Sequence, residues 1–216
     1  EWLGSIGVTP KWCFTARYKG LLGGVVLINE PTAYSTVLGK DTPIYEALIQ
    51  RGATSSWTPK NLGSRLIMYS CKWMVDNTNK RAFIGYADPA ANERGILYQA
   101  CSFEYLGNNF GEKYLYQDTE SNKIISMHSL RRTSAFIKWC RQNDIKMENK
   151  WLNPNGFKNL KEIPEEIKVK WNNDIKKIIE GSKKIATLKK SKYIKVLPKN
   201  RTEKKLLNGL KTYASL

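Results

Sequence analysis

Residues 85–107 read GYADPAANERGILYQACSFEYLG. The apolar run that enters this stretch, RAFIGYAD over 81–88, has the composition of a strand and ends at Asp88-Pro89. Proline lacks an N–H and its fixed φ suits a first helical turn, so a helix is expected to start at Pro89. Ile96, Leu97, Ala100 and Phe103 supply its apolar face, and Gly107 stops it. Asp88 therefore falls at the carboxyl end of a strand, where open α/β sheets hold their ligands.

Upstream lies a second strand-to-helix passage. EALIQRGATSSW (46–57) reads as a strand, Thr58-Pro59 breaks it, and LGSRLIMYSCKWMVDN presents Leu62, Leu66, Ile67, Trp73 and Met74 at helical spacing. Strand, helix and strand in this order predict a crossover between two parallel strands. Before it, WCFTARYKG (12–20) and GGVVLINEP (23–31) read as a hairpin turning at Lys19-Gly20, and 32–44 reads as a loop. After it, KYLYQD (113–118) and KIISMHS (123–129) form a second hairpin across Thr119–Asn122. The expected class is α/β of the α+β kind, a mixed central sheet flanked by helices.

Beyond residue 128 the composition changes. Leu130, Phe136, Ile137, Trp139 and Cys140 support one helix. Pro164-Glu165-Glu166 opens another, whose stripe is Ile167, Trp171, Ile175, Ile178 and Ile179 and whose stop is Gly181. Residues 183–216 are rich in lysine and hold one short strand candidate, YIKVL. Net charge is +17; residues 1–128 carry 13 Lys and Arg against 11 Asp and Glu, and residues 129–216 carry 23 against 8. Clustered cations gain by releasing the counterions condensed on a polyanion, so nucleic acid is the expected partner, with anionic membrane as the competitor. No apolar run approaches the ~20 residues of a membrane-spanning helix. The expected division is a core over 1–128 and a basic, mainly helical, DNA-contacting region over 129–216. The first residue is Glu1, so residues before it in the natural protein are expected.

Two stretches have the composition of a site. In TPKNLGSRLI (58–67) a strand passes through Lys60, Asn61, Leu62, Gly63, Ser64 and Arg65 into a helix. A helix start offers unpaired N–H groups to a phosphate, and Gly63 lets a ligand approach the backbone. The alternative is a plain helix start capped by Asn61 or Ser64. In the opening stretch, Asp88 is a candidate base or orienting group, Tyr86 lies two residues earlier on the same strand face, and Tyr98 is a candidate proton donor. The alternative for Asp88 is a helix cap. His128 is the only histidine, and Cys13, Cys71, Cys101 and Cys140 are widely spaced without a CxxC pair, which argues against a zinc finger and for reduced, mostly buried thiols. The tryptophans read as core, with Trp139, Trp151 and Trp171 also placed to stack on bases.

The element order resembles the GNAT acyltransferase fold, whose phosphate loop has the form Q/R-x-x-G-x-G/A; Lys60–Arg65 matches it at Gly63 only. A closer resemblance rests on Arg51, Thr58-Pro59-Lys60-Asn61, Ser64-Arg65, Tyr86-Ala87-Asp88-Pro89, Gly95-Ile96-Leu97-Tyr98-Gln99-Ala100 and Tyr105-Leu106-Gly107. This set is similar to the Mom proteins of bacteriophages. The resemblance implies a GNAT-like transferase that converts adenine at N6 in double-stranded DNA to a carbamoylmethyl-type derivative and protects the DNA from restriction in the host cytoplasm. It implies an acyl-CoA-type cofactor such as acetyl-CoA, with iron as a suggested requirement, and marks Arg51, Ser64, Tyr86 and Asp88 as functional positions. The metal and the oligomeric state, a dimer included, stay open. So do two other functions: transfer to another amine, such as an aminoalkyl pyrimidine in DNA, and DNA binding without catalysis.

Overall fold

The computed structural model describes residues 9–31, 36–38, 43–111, 114–119, 121–154, 156 and 158–210. The chain divides into two compact units, residues 1–110 with 189–216, and residues 111–188.

The first unit opens with a hairpin of β1 (Trp12–Tyr18) and β2 (Leu21–Asn29). Its turn uses Lys19 and Gly20, both at positive φ, as a two-residue hairpin turn requires. β3 (Glu46–Thr54) runs antiparallel to β2, α1 (Leu62–Asn77) crosses over, and β4 (Ala82–Ala87) returns parallel to β3. The expected crossover is present. A short α2 (Ile96–Ala100) and a two-residue β5 (Glu104–Tyr105) follow. The sheet is completed by β9 (Ser191–Val196), and α6 (Arg201–Leu210) ends the described chain. Strand order is β1-β2-β3-β4-β9-β5, a mixed sheet with helices packed on it.

Alternation along β4 assigns its two faces. Phe83 and Ala87 join Leu66, Ile67, Cys71 and Met74 of α1 in one core. Ala82 and Ile84 join Ile194 of β9 and Leu207 of α6 in the other. Deep in the sheet, Glu46 is fully buried, and its carboxylate accepts the N–H groups of Val37 and Leu38. Burial raises its pKa, against the opposing effect of those two bonds.

The second unit pairs β6 (Tyr114–Asp118) with β7 (Ile124–Ile125) and with β8 (Ser182–Ala186) in a three-stranded sheet. The hairpin expected at 113–129 is there, although Lys113 and Glu120 lie outside the described residues. Between β7 and β8 run α3 (Met127–Arg131), α4 (Thr133–Gln142) and α5 (Glu165–Glu180). Phe136, Cys140, Trp151, Ile163, Trp171 and Ile175 close the core of this unit.

Several expectations change. The boundary expected at residue 128 differs from the compact units, because YIKVL becomes β9 and sits inside the first sheet rather than in a helical extension. Counted by unit, residues 1–110 with 189–216 carry 20 Lys and Arg against 9 Asp and Glu, and residues 111–188 carry 16 against 10. The larger excess, +11 against +6, thus belongs to the first unit. Pro89 starts a 3₁₀ turn (Pro89–Ala91) and not a long helix; α2 begins only after Gly95, and Ile96 is 65% exposed. Trp151 and Trp171 are buried, so they have no free ring face to offer a base. The thiols of Cys71, Cys101 and Cys140 are buried, whereas Cys13 is exposed.

Arg81, next to β4, ties three elements together. Its Nη1 donates to the carbonyls of Val75, Thr78 and Lys80 at the end of α1, and its Nε and Nη2 form a two-pronged pair with Glu203 of α6 at 2.8 and 3.1 Å. That pairing holds the Glu203 carboxyl below its ordinary value of 4.5. A depressed carboxyl contributes stability that is complete above its unfolded pKa and is lost as pH falls through the folded one. Lysine cannot reproduce the planar fork. Urea titrations at a series of pH values should therefore show wild-type stability falling below about pH 4.5. Arg81→Lys should lose on the order of 3 kcal/mol at neutral pH and show a flatter acid limb.

Candidate functional site

β3 and β4 pair over only four positions, from Glu46–Ala82 to Ile49–Gly85. Beyond that point β3 continues to Thr54 against β2, and β4 continues to Ala87 against β9. The two strands part at their carboxyl ends. A bulge at Gln50, where the register with β2 shifts between Leu27 and Ile28, lies at the point of parting. Bulges bend a strand and re-aim its side chains. Between the parted strands lies a cleft of about 750 Å³, walled by Gln50–Ala53, Ile67, Tyr86–Asp88, Asn92–Tyr98 and Lys190.

Four of the expected residues meet there: Arg51, Tyr86, Asp88 and Tyr98. Arg51 leaves β3 just past the bulge, and its buried Nε has no hydrogen-bond partner among the described residues. A desolvated guanidinium nitrogen without an acceptor is costly, and an anionic or carbonyl ligand would relieve that cost.

Asp88 is fixed on every side. Its Oδ1 accepts the N–H of Ala90 at 3.0 Å, so the expected cap is present. Its Oδ2 pairs with Lys190 Nζ at 2.7 Å, its own N–H donates to Glu93 at 2.8 Å, and its carbonyl accepts from Ala91 and Glu93. Only 12% of its side chain is exposed.

The tyrosines are neutral donors. Burial and then the Glu46 charge push the Tyr86 hydroxyl up to about 12. Tyr98, half-buried, is raised further by burial first and then by Glu93. Tyr98 lies against Gly85, stacks on Tyr193 at 5.3 Å and meets Phe103 at 5.3 Å. Neither Gly85 nor Gly95 has room for a side chain. A Cβ on Gly85 would stand 2.3 Å from the Tyr98 ring, and one on Gly95, at φ +71°, would stand 2.1 Å from the Tyr193 hydroxyl.

The Lys60–Arg65 loop is outside this cleft. Asn61 adopts the left-handed conformation ahead of α1, and neither it nor Ser64 caps the helix through its side chain. The Ser64 hydroxyl donates to the Asn61 carbonyl, and its own carbonyl accepts from the Cys101 thiol. A Cβ on Gly63 would stand 3.2 Å from the Leu97 side chain, and Leu97 walls the cleft. Loop and cleft are thus separated by one side chain. Lys60, Asn61, Leu62 and Arg65 do not line the cleft.

Three charged cleft residues lie outside the sequence expectations. Glu93 and Arg94 sit in the polar part of the 85–107 stretch, between the motif residues that carry the family resemblance. Lys190 is hidden among the lysines of the tail. Among the described residues no group of three His, Cys, Asp or Glu side chains is placed to hold a metal ion. Asp88 and Glu93 are the carboxylates that wall the cleft, and Asp88 is already paired with a cation. This donor set does not fit iron.

The model of a family described as the Mom protein family matches residues 19–214, a span that includes every residue of the cleft. Among curated proteins, none matches the chain.

Replacing the wall glycines should separate sterics from backbone strain. Gly85→Ala should cost about 1–3 kcal/mol by overpacking against Tyr98. Gly95→Ala should cost more, because its left-handed φ adds to the clash. Gly107→Ala, at φ +105° with open space around it, should lose only about 1 kcal/mol. Denaturant unfolding of the three variants reads the order, and equal losses would contradict it.

Proposed function

The chain belongs to the Mom protein family, the proteins with which bacteriophages modify DNA, and from that membership we propose that it is a transferase acting on adenine N6 of double-stranded DNA, leaving a carbamoylmethyl-type group. The observation that carries this reading is convergence. Arg51, Tyr86, Asp88 and Tyr98, which stand apart in the sequence and belong to the family's motif set, meet in one cleft where two parallel strands part.

An adenine amine inside a duplex is stacked and shielded, so the target base has to leave the helix to reach the cleft. There the N6 nitrogen bonds the transferred group and releases a proton to solvent, and negative charge develops on the donor, at its carbonyl oxygen or leaving group. Arg51 supplies an unpaired cation-bearing N–H for that charge. Tyr86 and Tyr98 stay protonated at neutral pH, which suits them to donate hydrogen bonds rather than to accept protons. Asp88, with both oxygens engaged, acts as an orienting group.

The cleft fits an acyl-CoA-type cofactor on the chemistry of its walls. The divergent edges of β3 and β4 offer main-chain partners to an amide-bearing arm, and Ile67 and Leu97 give it apolar cover. The start of α1 at Lys60–Arg65 would receive the pyrophosphate, with Ser64 shaping that turn. When bound, such a cofactor would supply the two-carbon unit of the transferred group, carried as a thioester. This arrangement, with a parallel pair crossed by α1, supports the GNAT-like assignment.

DNA binding draws on both units. The first unit holds the larger positive excess. In the second, Arg131, Arg132, Lys138 and Arg141 along α3 and α4 are exposed and form no ion pair among the described residues. Lysines of α5, by contrast, are partly neutralised by Glu165, Asp174 and Glu180.

Nucleosides released from the DNA of cells expressing the protein provide the test. A mass increase on deoxyadenosine is expected, and Arg51→Ala should reduce it by about 10²-fold, the scale of removing one preorganised donor. A gain on a pyrimidine instead would redirect the reaction to another amine. Unmodified nucleosides throughout would leave DNA binding without catalysis.

A further inference from the structure

Lys190 reaches the cleft from a segment far along the chain from Arg51, and its place there is tightly determined. Its N–H donates to the Phe110 carbonyl at 2.9 Å and its carbonyl accepts the Phe110 N–H at 3.3 Å, so its backbone is held as a β-bridge. Its ammonium meets Asp88 Oδ2 at 2.7 Å, yet its side chain remains 42% exposed and walls the cleft. An ammonium carries three protons. One is directed at Asp88, which leaves two for a ligand. Asp88 for its part has no free oxygen, because the Ala90 N–H takes the other one. A carboxylate anchored by its turn and facing a half-exposed amine is arranged to aim that amine.

Arg51 stands in the same cleft with a buried, unpartnered Nε. Three cations, Arg51, Arg94 and Lys190, thus line one cavity, and it is Lys190 whose ion-pair partner is on the cleft wall. We infer that Lys190 is a substrate-contacting residue which, aimed by Asp88, seats a phosphate group in the cleft beside Arg51. The phosphate comes either from the nucleotide whose base is being modified or from the 3′-phosphate of a coenzyme-A-type cofactor whose pyrophosphate rests at the start of α1. This inference rests on the transferase reading of the cleft, and it names what Asp88 orients, the Lys190 ammonium.

Binding measured on purified protein tests it apart from turnover. The probes are coenzyme A and a short adenine-containing single-stranded oligonucleotide, each titrated calorimetrically against wild type, Lys190→Gln, Lys190→Arg and Asp88→Asn. The Asp88→Asn substitution keeps a side-chain oxygen for the Ala90 N–H, since asparagine caps as well as aspartate, and removes only the ion pair. Lys190→Gln should weaken one probe about tenfold, the scale of one charge-assisted hydrogen bond, and Lys190→Arg should recover most of that loss. If the oligonucleotide is the probe affected, the slope of its affinity against salt should fall by about one. Asp88→Asn should weaken the same probe in the same direction. Loss on coenzyme A alone assigns the phosphate to the cofactor, and loss on the oligonucleotide alone assigns it to DNA. Wild-type affinity of Lys190→Gln for both probes, with its unfolding transition unchanged, overturns the contact. Wild-type affinity of Asp88→Asn overturns the positioning role. Either result is independent of whether a modified nucleoside is formed, so failure here and failure of the transferase reading are told apart.

Discussion

The last strand holds the first unit together. β9 inserts between β4 and β5, so the middle of the sheet consists of segments separated by about half the chain. Its six-residue ladder with β4 positions Ile194 in one core and Tyr193 in the other. Without it, β4 would be an edge strand with an unpaired row of N–H and C=O groups beside the cleft. Lys190 lies immediately before β9, and Lys192 is buried within it above Tyr86 and Phe110. Cleft wall and structural closure therefore share one segment.

The other wall follows from what β4 lacks. Because Gly85 has no side chain, the Tyr98 ring can lie close on the strand, and because Gly95 has none, Tyr193 can back that ring. The two glycines and two tyrosines form one stack, with Tyr105 on its far side at 5.4 Å from Tyr193. Packing of this density leaves little freedom of rotation for the Tyr98 ring, which is the condition for a preorganised donor.

Much of this was legible in the amino-acid order, and the omissions have physical causes. The crossover from β3 through α1 to β4 was readable because its strands are apolar and its helix keeps a 3.6-residue stripe. The hairpins were readable from their turns. Asp88 as a cap was readable from the proline that follows it. By contrast, β9 carries Lys192 and Lys195 among its six residues, so its composition resembles its solvated surroundings; Lys192 is nevertheless buried, with the Glu46 charge nearby. α2 spans only five residues, too short for periodicity to show where it starts. The lysines that flank Trp151 and Trp171 suggest exposed platforms, but those lysines lie on the outer faces while the rings point inward. The motif marks Arg51 and Asp88. It does not mark Lys190, whose significance is created by the fold, which carries it to a carboxylate just past the end of β4.

The chain leaves the first unit at Phe110 and re-enters it at Lys189, and the adjoining residues Phe110 and Lys190 are bridged by a reciprocal pair of main-chain hydrogen bonds. The ends of residues 111–188 are thus neighbours, as at the mouth of a hairpin. A tight turn at that mouth would preserve the sheet, so the intervening segment is topologically a cassette carried on a complete scaffold. Such a layout lets the cassette diversify, lengthen or be exchanged between lineages while the cleft of the first unit keeps its geometry.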